Sequence, residues 1–287
     1  MSSALLGLVA ALSWGVHDFL ARFPARAVGP INTVLAITFT GLIFLSLWFF
    51  LGGGQIQIVW PSLWLVALTG VAFALATLSL FAALVLGPIS IVAPIAGSYP
   101  ALAMIFALAQ GSRPSAAQWL AVAAVMAGVI IVSRSGGRFE ASGELASGKL
   151  KLVLGLAFIA SVCFAVSLTG GQMAVPIFGD AQTPWLARIF GLIAIGAIWL
   201  AQSGKRQRLP LRWAPLLGAM GGLDVVAMST IVAAGTLPDP AFATVVSSAF
   251  GAVTVLLARL FLKESISPAQ LAGMVLIFGG VGVLAGL

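Results

Sequence analysis

One stretch of this sequence, from Pro88 to Ser133, occurs a second time further along the chain. When the sequence is shifted by 152 positions, Pro88 coincides with Pro240 and Gly128 with Gly280. The same shift pairs Ser115 with Ser267, Ala117 with Ala269, Gln118 with Gln270 and Val129 with Val281. Each copy is an apolar segment, a short polar turn and a second apolar segment. Self-similarity at this distance indicates two related halves, which any fold of the chain has to accommodate.

The beginnings of the two halves agree as well. Leu6-Gly7-Leu8 corresponds to Leu154-Gly155-Leu156 at a shift of 148, and Gly41-Leu42-Ile43 corresponds to Gly191-Leu192-Ile193 at a shift of 150. The matches keep their order along the chain, and the small drift is explained by different loop lengths. We therefore predict two repeats, residues 1–137 and 138–287, divided by the polar connection 134–149.

Charged residues make up only 7% of the chain, whereas hydrophobic residues make up 61%. A soluble domain carries about 25% charged residues. An apolar run of about 18 or more residues is long enough to cross a bilayer as a helix. The composition therefore predicts a polytopic membrane protein whose surroundings are the lipid bilayer.

Ten apolar segments are predicted to span the membrane. They lie at about 4–22, 31–51, 63–86, 89–109, 115–133, 150–172, 182–201, 211–236, 239–261 and 267–286. We predict an all-α fold, because backbone groups that face lipid are satisfied only in helices or closed barrels, and the segments lack the alternation of barrel strands. Five segments per half is an odd number, so the second half enters the membrane from the opposite side. The repeats are therefore predicted to be inverted.

The basic residues indicate the orientation. Of the 14 Lys and Arg residues, all but Arg113 and Arg188 fall in connections on one side of the predicted membrane. Such an excess is typical of the cytoplasmic side, which places both termini outside the cytoplasmic (inner) membrane. Because these residues lie in connections rather than along one helical face with aromatic residues, nucleic acid is not expected as a partner.

Several classes of chemistry are not expected from this residue inventory. The single cysteine, Cys163, excludes an internal disulfide, and the single histidine, His17, excludes a His-rich metal site. A Gly-rich phosphate loop ending in Lys and Ser or Thr is absent, so ATP hydrolysis is not expected. The aspartates Asp18 and Asp224 lack the Tyr-Asp and Gly-x-Gly-Asp patterns of intramembrane aspartyl proteases. We expect no catalytic site and no cofactor.

Ionisable residues inside the predicted spans are costly and are candidates for function. Asp18 precedes Arg22 by four residues, which predicts a helical ion pair, and the alternative is that His17 or Asp18 contacts substrate or a proton. Burial of Asp224 favours a protonated acid bonded to a neighbouring helix, and the alternative is a site for a substrate amine or a proton. Arg188 is expected to extend toward the interface, with an ion pair in a cavity as the alternative.

Two neutral candidates, Ser98 and Tyr99, lie at the predicted break in the fourth span, which contains Pro94, Gly97 and Pro100. Helix breaks at membrane depth are tolerated where the backbone lines a cavity or is buried in protein. Small polar residues in such spans also serve as packing contacts between helices, which is the alternative for each serine. The predicted substrate-binding residues, charged and neutral together, are Trp14, His17, Ser98, Tyr99, Asp224, Ser247 and Ser248.

The sequence resembles the drug/metabolite transporter superfamily, EamA type, over its whole length. The resemblance rests on Ala11-Leu12-Ser13-Trp14-Gly15 in the first span, on the Gly87-Pro88 turn, and on Leu262-Lys263-Glu264-Ser265 at the end of the ninth span. The first repeat departs from the last element, with Gly111-Ser112 in place of Lys-Glu. The resemblance implies a small-molecule carrier with a cavity between the repeats that works by alternating access. Within the superfamily, the exporters of aromatic and neutral amino acids are the most similar.

Three functions are consistent with these observations. The leading hypothesis is a secondary transporter that exports amino acids or similar small metabolites. The second is a multidrug or lipophilic-cation efflux carrier, and the third is a membrane scaffold that transports nothing. The sequence leaves the substrate and proton coupling open, and it is compatible with a homodimer.

Overall fold

The computed structural model of the protein describes residues 3–103, 115–135, 148–202, 209–234, 237 and 241–286. All secondary structure in these residues is helical, and no strand occurs among them, as the all-α prediction requires. In chain order the helices are α1 (Ser3–Val28), α2 (Pro30–Leu51), α3 (Leu63–Leu86), α4 (Ile89–Ala96), α5 (Ala116–Ser135), α6 (Lys149–Ala201), α7 (Ala214–Ala233), α8 (Ala241–Ser247), α9 (Phe250–Phe261) and α10 (Pro268–Gly286).

Helix α6 is two helices joined at a kink. Its 53 residues would extend about 80 Å if the helix were straight, far more than the roughly 30 Å of a bilayer core. Gly179 interrupts it with a non-helical backbone, φ 79° and ψ 165°. A positive φ of this kind is accessible to glycine at little cost. The kink yields segments 149–178 and 180–201, close to the predicted spans at 150–172 and 182–201.

The helices fit a multi-pass membrane protein. Six helices among the described residues are long and apolar enough to cross a bilayer, and three further apolar helices are shorter. The predicted number of ten spans stays a prediction, since residues 104–109 of the fourth span and residues 235–236 and 239–240 of the eighth and ninth lie outside the described residues. Helix α1 is longer than predicted, because it continues through Pro24 to Val28 instead of ending near Arg22.

The predicted break in the fourth span is confirmed, and an equivalent break occurs in the second half. Helix α4 ends at Ala96, Gly97 and Ser98 form a turn, and helical structure resumes at Tyr99. In the second half the turn at Ser248 and Ala249 separates α8 from α9. The interruptions therefore recur at matching positions of the two repeats.

Glycine contacts between α5 and α10 relate the halves to one another. A Cβ atom added to Gly128 would lie 2.5 Å from the carbonyl oxygen of Gly273, and one added to Gly280 would lie 2.8 Å from that of Ala121. The 152-residue shift carries Gly128 to Gly280 and Ala121 to Gly273, so these two contacts are the same contact with the halves exchanged. Such reciprocity is what a twofold axis between two repeats produces, and small residues allow the close approach.

Candidate functional site

Asp224 lies at the centre of the bundle, held by groups from two other helices. The Nη1 atom of Arg188, on the second segment of α6, lies 2.6 Å from Oδ2 of Asp224. The indole Nε1 of Trp14, on α1, donates a hydrogen bond of 3.0 Å to Oδ1. All three side chains are buried. The expectation that Arg188 extends to the interface is therefore wrong, and its alternative, a carboxylate partner inside the protein, is what the structure contains.

The Arg188–Asp224 pair is an expensive arrangement for a membrane helix bundle. Removing two charges from water costs several kcal/mol for each ion, and attraction within the pair offsets this cost only with good geometry. The guanidinium of Arg188 also stacks over the ring of Phe73, 5.5 Å from its centroid, which adds a cation–π contribution. Gly41 lies beside the guanidinium, since a Cβ there would be in van der Waals contact with Cζ of Arg188 at 3.4 Å. Ionisable groups kept at this depth indicate a functional site.

His17 and Asp18 form a second buried polar pair on α1. Nδ1 of His17 lies 2.8 Å from Oδ1 of Asp18, and both side chains are buried. The predicted Asp18–Arg22 pair is wrong, because Arg22 forms its ion pair with Glu264. The other ring nitrogen of His17, Nε2, is buried and has no hydrogen-bond partner within the described structure. Such an atom is ready to bond a group that enters the site.

Aromatic rings surround these charges. Trp14 lies 6.4 Å from Phe73 and 6.5 Å from Phe250, measured between ring centroids. Tyr99 stacks on Phe250 at 6.4 Å with an interplanar angle of 12°, and Phe164 contacts Phe73, Tyr99 and Phe250. Both halves of the chain contribute rings, and spacings of this kind are typical of aromatic pairs. Phe73, Phe164 and Phe250 were not predicted, because nothing in the sequence distinguishes them among 18 phenylalanines.

Tyr99 connects the two halves through its hydroxyl group. The hydroxyl oxygen lies 2.6 Å from Oγ of Ser247 and 3.2 Å from the carbonyl oxygen of Thr244. Ser247 in turn donates to that same carbonyl oxygen at 2.8 Å. Gln172 donates to the side chain of Thr244 at 2.6 Å. Ser247 therefore contacts Tyr99, which lines the central cavity, and does not line that cavity itself.

The other two serine candidates satisfy their hydroxyl groups near the breaks. Ser98 donates to the carbonyl oxygen of Ile95 at 2.7 Å and lies 3.2 Å from Oγ of Ser161. Ser248 donates to the carbonyl oxygen of Val245 at 2.7 Å. Bonds to a carbonyl three residues back are local side-chain caps of an ending helix. Their role as substrate ligands stays a prediction.

The central cavity is the space enclosed by these charged and aromatic side chains. It is lined by Trp14, His17, Asp18, Phe73, Thr77, Leu80, Tyr99, Phe164, Leu168, Asp224 and Phe250. About 10 Å³ of it is open to the centre of a water-sized molecule, which is room for about one water. A molecule larger than water therefore fits only if side chains move.

A second cavity lies on the far side of Phe73. It is lined by Thr38, Gly70, Phe73, Ala74, Pro184, Ala187, Arg188, Gly191 and Met228, with about 20 Å³ open to the centre of a water-sized molecule. Phe73 lines both cavities, whereas Asp224 lines the central one and Arg188 the second. The ion pair and the Phe73 ring therefore form the partition between them.

The end of the bundle at which α1 and α9 finish, here termed the basic end, is closed by Glu264. Its carboxylate pairs with Arg22 and accepts hydrogen bonds from the backbone N–H groups of Ile89, at 3.3 Å, and Ser90, at 3.1 Å. These N–H groups open α4, where a carboxylate supplies the missing acceptors and favourable charge. Glu264 belongs to the second half and its partners to the first. We refer to this set of contacts as the Glu264 tie.

Within the described residues, no group of three or more His, Cys, Asp or Glu side chains could hold a metal ion. The EamA-like transporter family matches the sequence twice, over residues 1–134 and 151–286. No curated protein matches it significantly. One solved protein crystal structure aligns with a TM-score of 0.68 and 22% sequence identity, covering 98% of this chain and 96% of the other. At that identity the likeness shows a shared fold.

Proposed function

The chain belongs to the EamA-like transporter family, and on that premise we propose that it exports amino acids or similar small metabolites by alternating access. The observation that carries the proposal is the central cavity, which is lined by Asp224, one partner of the buried ion pair, and by aromatic rings from both halves. The rings of Trp14 and Tyr99 offer an apolar, stacking surface, while Asp224 offers a charge. Sites for small molecules combine such apolar walls with a few placed polar groups.

The barriers on either side of the central cavity support alternating access. The Glu264 tie closes the basic end, and Arg22 lies eight residues beyond Trp14 on α1, a rise of about 12 Å. Toward the opposite end the Phe73 ring and the ion pair separate the central cavity from the second one. A site enclosed in both directions is the intermediate that a carrier passes through when access alternates.

We further propose that residues 1–137 and 138–287 are inverted repeats and that the basic end faces the cytoplasm. The support is the excess of Lys and Arg in the connections on that side. Both termini then lie outside the cytoplasmic membrane. A reporter enzyme fused after Leu287 should be active only outside, and activity confined to the cytoplasm would reverse this orientation.

The test of the transport proposal is counterflow in liposomes with a panel of labelled amino acids at two pH values. Wild-type protein should accumulate at least one neutral or aromatic amino acid in a saturable way. Tyr99→Ala should reduce that flux severalfold without loss of folded protein, because it removes the Phe250 stack and the contacts with Ser247. Trp60→Ala, a change in an exposed tryptophan, is the control. Unchanged flux in Tyr99→Ala removes Tyr99 from the site.

A second candidate, efflux of lipophilic cations, is favoured by one observation. The central cavity is lined by two carboxylates, Asp18 and Asp224, which would attract a positive charge. Asp224→Asn should then abolish cation efflux, and a variant that still exports the cation eliminates this role for Asp224. A scaffold without transport activity predicts no saturable flux of any compound.

A further inference from the structure

The partition between the two cavities contains the Arg188–Asp224 ion pair, and the charged groups of a substrate could pair with either residue in place of its present partner. Arg188 lines the second cavity and Asp224 the central one, so the ion pair lies across the path between them. The ring of Phe73 lines both cavities and lies under the guanidinium. Movement of Arg188 away from Asp224 would release the ring that the guanidinium covers. Opening the pair is therefore the local event that would join the two spaces.

The ligand that can open the pair is restricted by electrostatics. A buried charge that loses its partner is strongly destabilising, whereas a buried pair that exchanges partners keeps every charge compensated. A cation alone would compensate Asp224 and leave Arg188 unpaired, and an anion alone would do the reverse. A molecule that carries one charge of each sign compensates both residues at once.

From these contacts we infer that the Arg188–Asp224 pair recognises a zwitterion, an inference that rests on the proposed transport function. Arg188 takes the α-carboxylate of the substrate and Asp224 takes its α-ammonium group. The substrate side chain then lies among the rings of Trp14, Tyr99 and Phe164. Without substrate, Arg188 and Asp224 pair with one another. When substrate binds, its carboxylate replaces Asp224 as the partner of Arg188, and its ammonium group replaces Arg188 as the partner of Asp224.

Three features of the site suit these roles. A guanidinium presents its donors as a planar fork that matches a carboxylate. Asp224 remains anchored through the indole N–H of Trp14 when Arg188 leaves, because that bond uses its other oxygen. The free Nε2 of His17, on the wall of the same cavity, is available for a further bond to the ligand.

The charges that face the pair come from the helices packed around it. They are His17 and Asp18 on α1, while Arg188 and Asp224 themselves lie on α6 and α7. Arg188 and Asp224 compensate one another, and a zwitterion leaves that balance unchanged. Transport of a single-charge compound would alter it.

The experiment compares L-phenylalanine with two derivatives that each lack one charge. L-Phenylalanine amide has no carboxylate and N-acetyl-L-phenylalanine has no ammonium group, while the ring is common to all three. Inhibition of counterflow, with L-leucine as the labelled substrate, should be at least about tenfold weaker for each derivative, because each leaves one buried charge unpaired. Equal inhibition by the amide would overturn the inference while leaving transport itself established.

Variants assign each charge to its residue. Arg188→Gln should lower the affinity for L-phenylalanine while affecting the amide less, and Asp224→Asn should lower it while affecting the N-acetyl derivative less. Asp180→Asn, a change in an exposed acid, is the matched control and should leave every affinity unchanged. The opposite selectivity, with Arg188→Gln sparing the N-acetyl derivative, would overturn the assignment.

A double variant separates recognition from a structural role of the pair. Arg188→Met combined with Asp224→Leu replaces the ion pair by apolar groups, an exchange that buried pairs often tolerate without loss of stability. The protein should fold and should lose L-phenylalanine binding, measured as thermal stabilisation by the ligand. If this double variant still binds and transports L-phenylalanine, the pair is structural and the inference is wrong. If no amino acid or derivative moves even in the wild type, the proposed function fails first.

Discussion

Removal of the charge on Glu264 should open the basic end of the protein. Its carboxylate holds Arg22 and the N–H groups of Ile89 and Ser90, so it joins α1 and α4 of the first half to the end of α9 in the second. Opening at the basic end must separate these groups. Glu264→Gln keeps the shape but removes the charge, and its NH2 group replaces one of the two oxygens that accept the bonds of the tie.

The size of the effect follows from these bonds. A hydrogen bond to a charged group contributes about 1.5–3 kcal/mol and a neutral one about 0.5–1.5 kcal/mol, so each contact weakens by roughly 1 kcal/mol. The side chains of Glu264 and Arg22 are each 13% exposed, and solvent screening reduces their share. We expect a total loss of about 2 kcal/mol, which changes an equilibrium constant by about 30-fold.

The assay is cysteine labelling at Ser90, whose backbone N–H takes part in the Glu264 tie. In a Cys163→Ala background, Ser90→Cys places a thiol at a position that is fully buried in the closed form. The maleimide labelling rate of detergent-solubilised protein then reports the open fraction, and Glu264→Gln should raise that rate about 30-fold. Ser167→Cys, buried on α6, should stay slow and exclude general unfolding.

Two results would refute this reasoning. The first is an unchanged labelling rate at Ser90→Cys when Glu264→Gln is introduced. The second is an equal rise caused by Asp180→Asn, which removes one negative charge from an exposed site and leaves the tie intact. In either case the tie does not determine how often the basic end opens.

Two further predictions concern packing and a loop. Gly70→Ala should lower the free energy of unfolding by about 1–3 kcal/mol, because its Cβ would overlap the carbonyl oxygen of Ala187. Thermal unfolding measures the effect, with Gly155→Ala as the control, since nothing lies within 4 Å of a Cβ at that position. Equal melting temperatures of the two variants would contradict the prediction. Gln182→Ala should speed hydrogen exchange at residues 52–59, because Gln182 accepts from the Gln57 N–H at 3.1 Å and donates to its carbonyl at 2.7 Å. Unaltered exchange there would show that the loop is held by other contacts.

Features that depend on local composition could be predicted from the sequence. Apolar runs predict membrane helices, and the Pro94, Gly97 and Pro100 cluster predicts a break in the fourth span because these residues interrupt helical hydrogen bonding. Trp14, Tyr99 and Asp224 were predicted because a large polar-tipped or charged residue is conspicuous in an apolar run. The structure brings all three to the wall of one cavity.

Partners that depend on the tertiary fold could not be predicted. Asp18 and Arg22 have the spacing of a helical ion pair, yet the long side chain of Arg22 finds Glu264, 242 positions away. The carboxylate of Glu264 is placed there by the end of α4, which needs an acceptor. Arg188 was expected to extend to the interface, because its position in the sequence does not indicate that Asp224, on another helix, is its neighbour. Sequence periodicity defines the face of a helix, but which helix that face meets is decided by packing of the whole bundle.

The contact between α5 and α10 has a mechanical consequence. Carbonyl oxygens there rest directly against the glycine carbons of the facing helix, at Gly128 and Gly280 alike. Contact between backbones at so short a distance leaves little room for α5 and α10 to slide along one another. We therefore expect α5 and α10 to move as one rigid unit. Any bending between the repeats should then occur at the interrupted helices around Gly97 and Ser248.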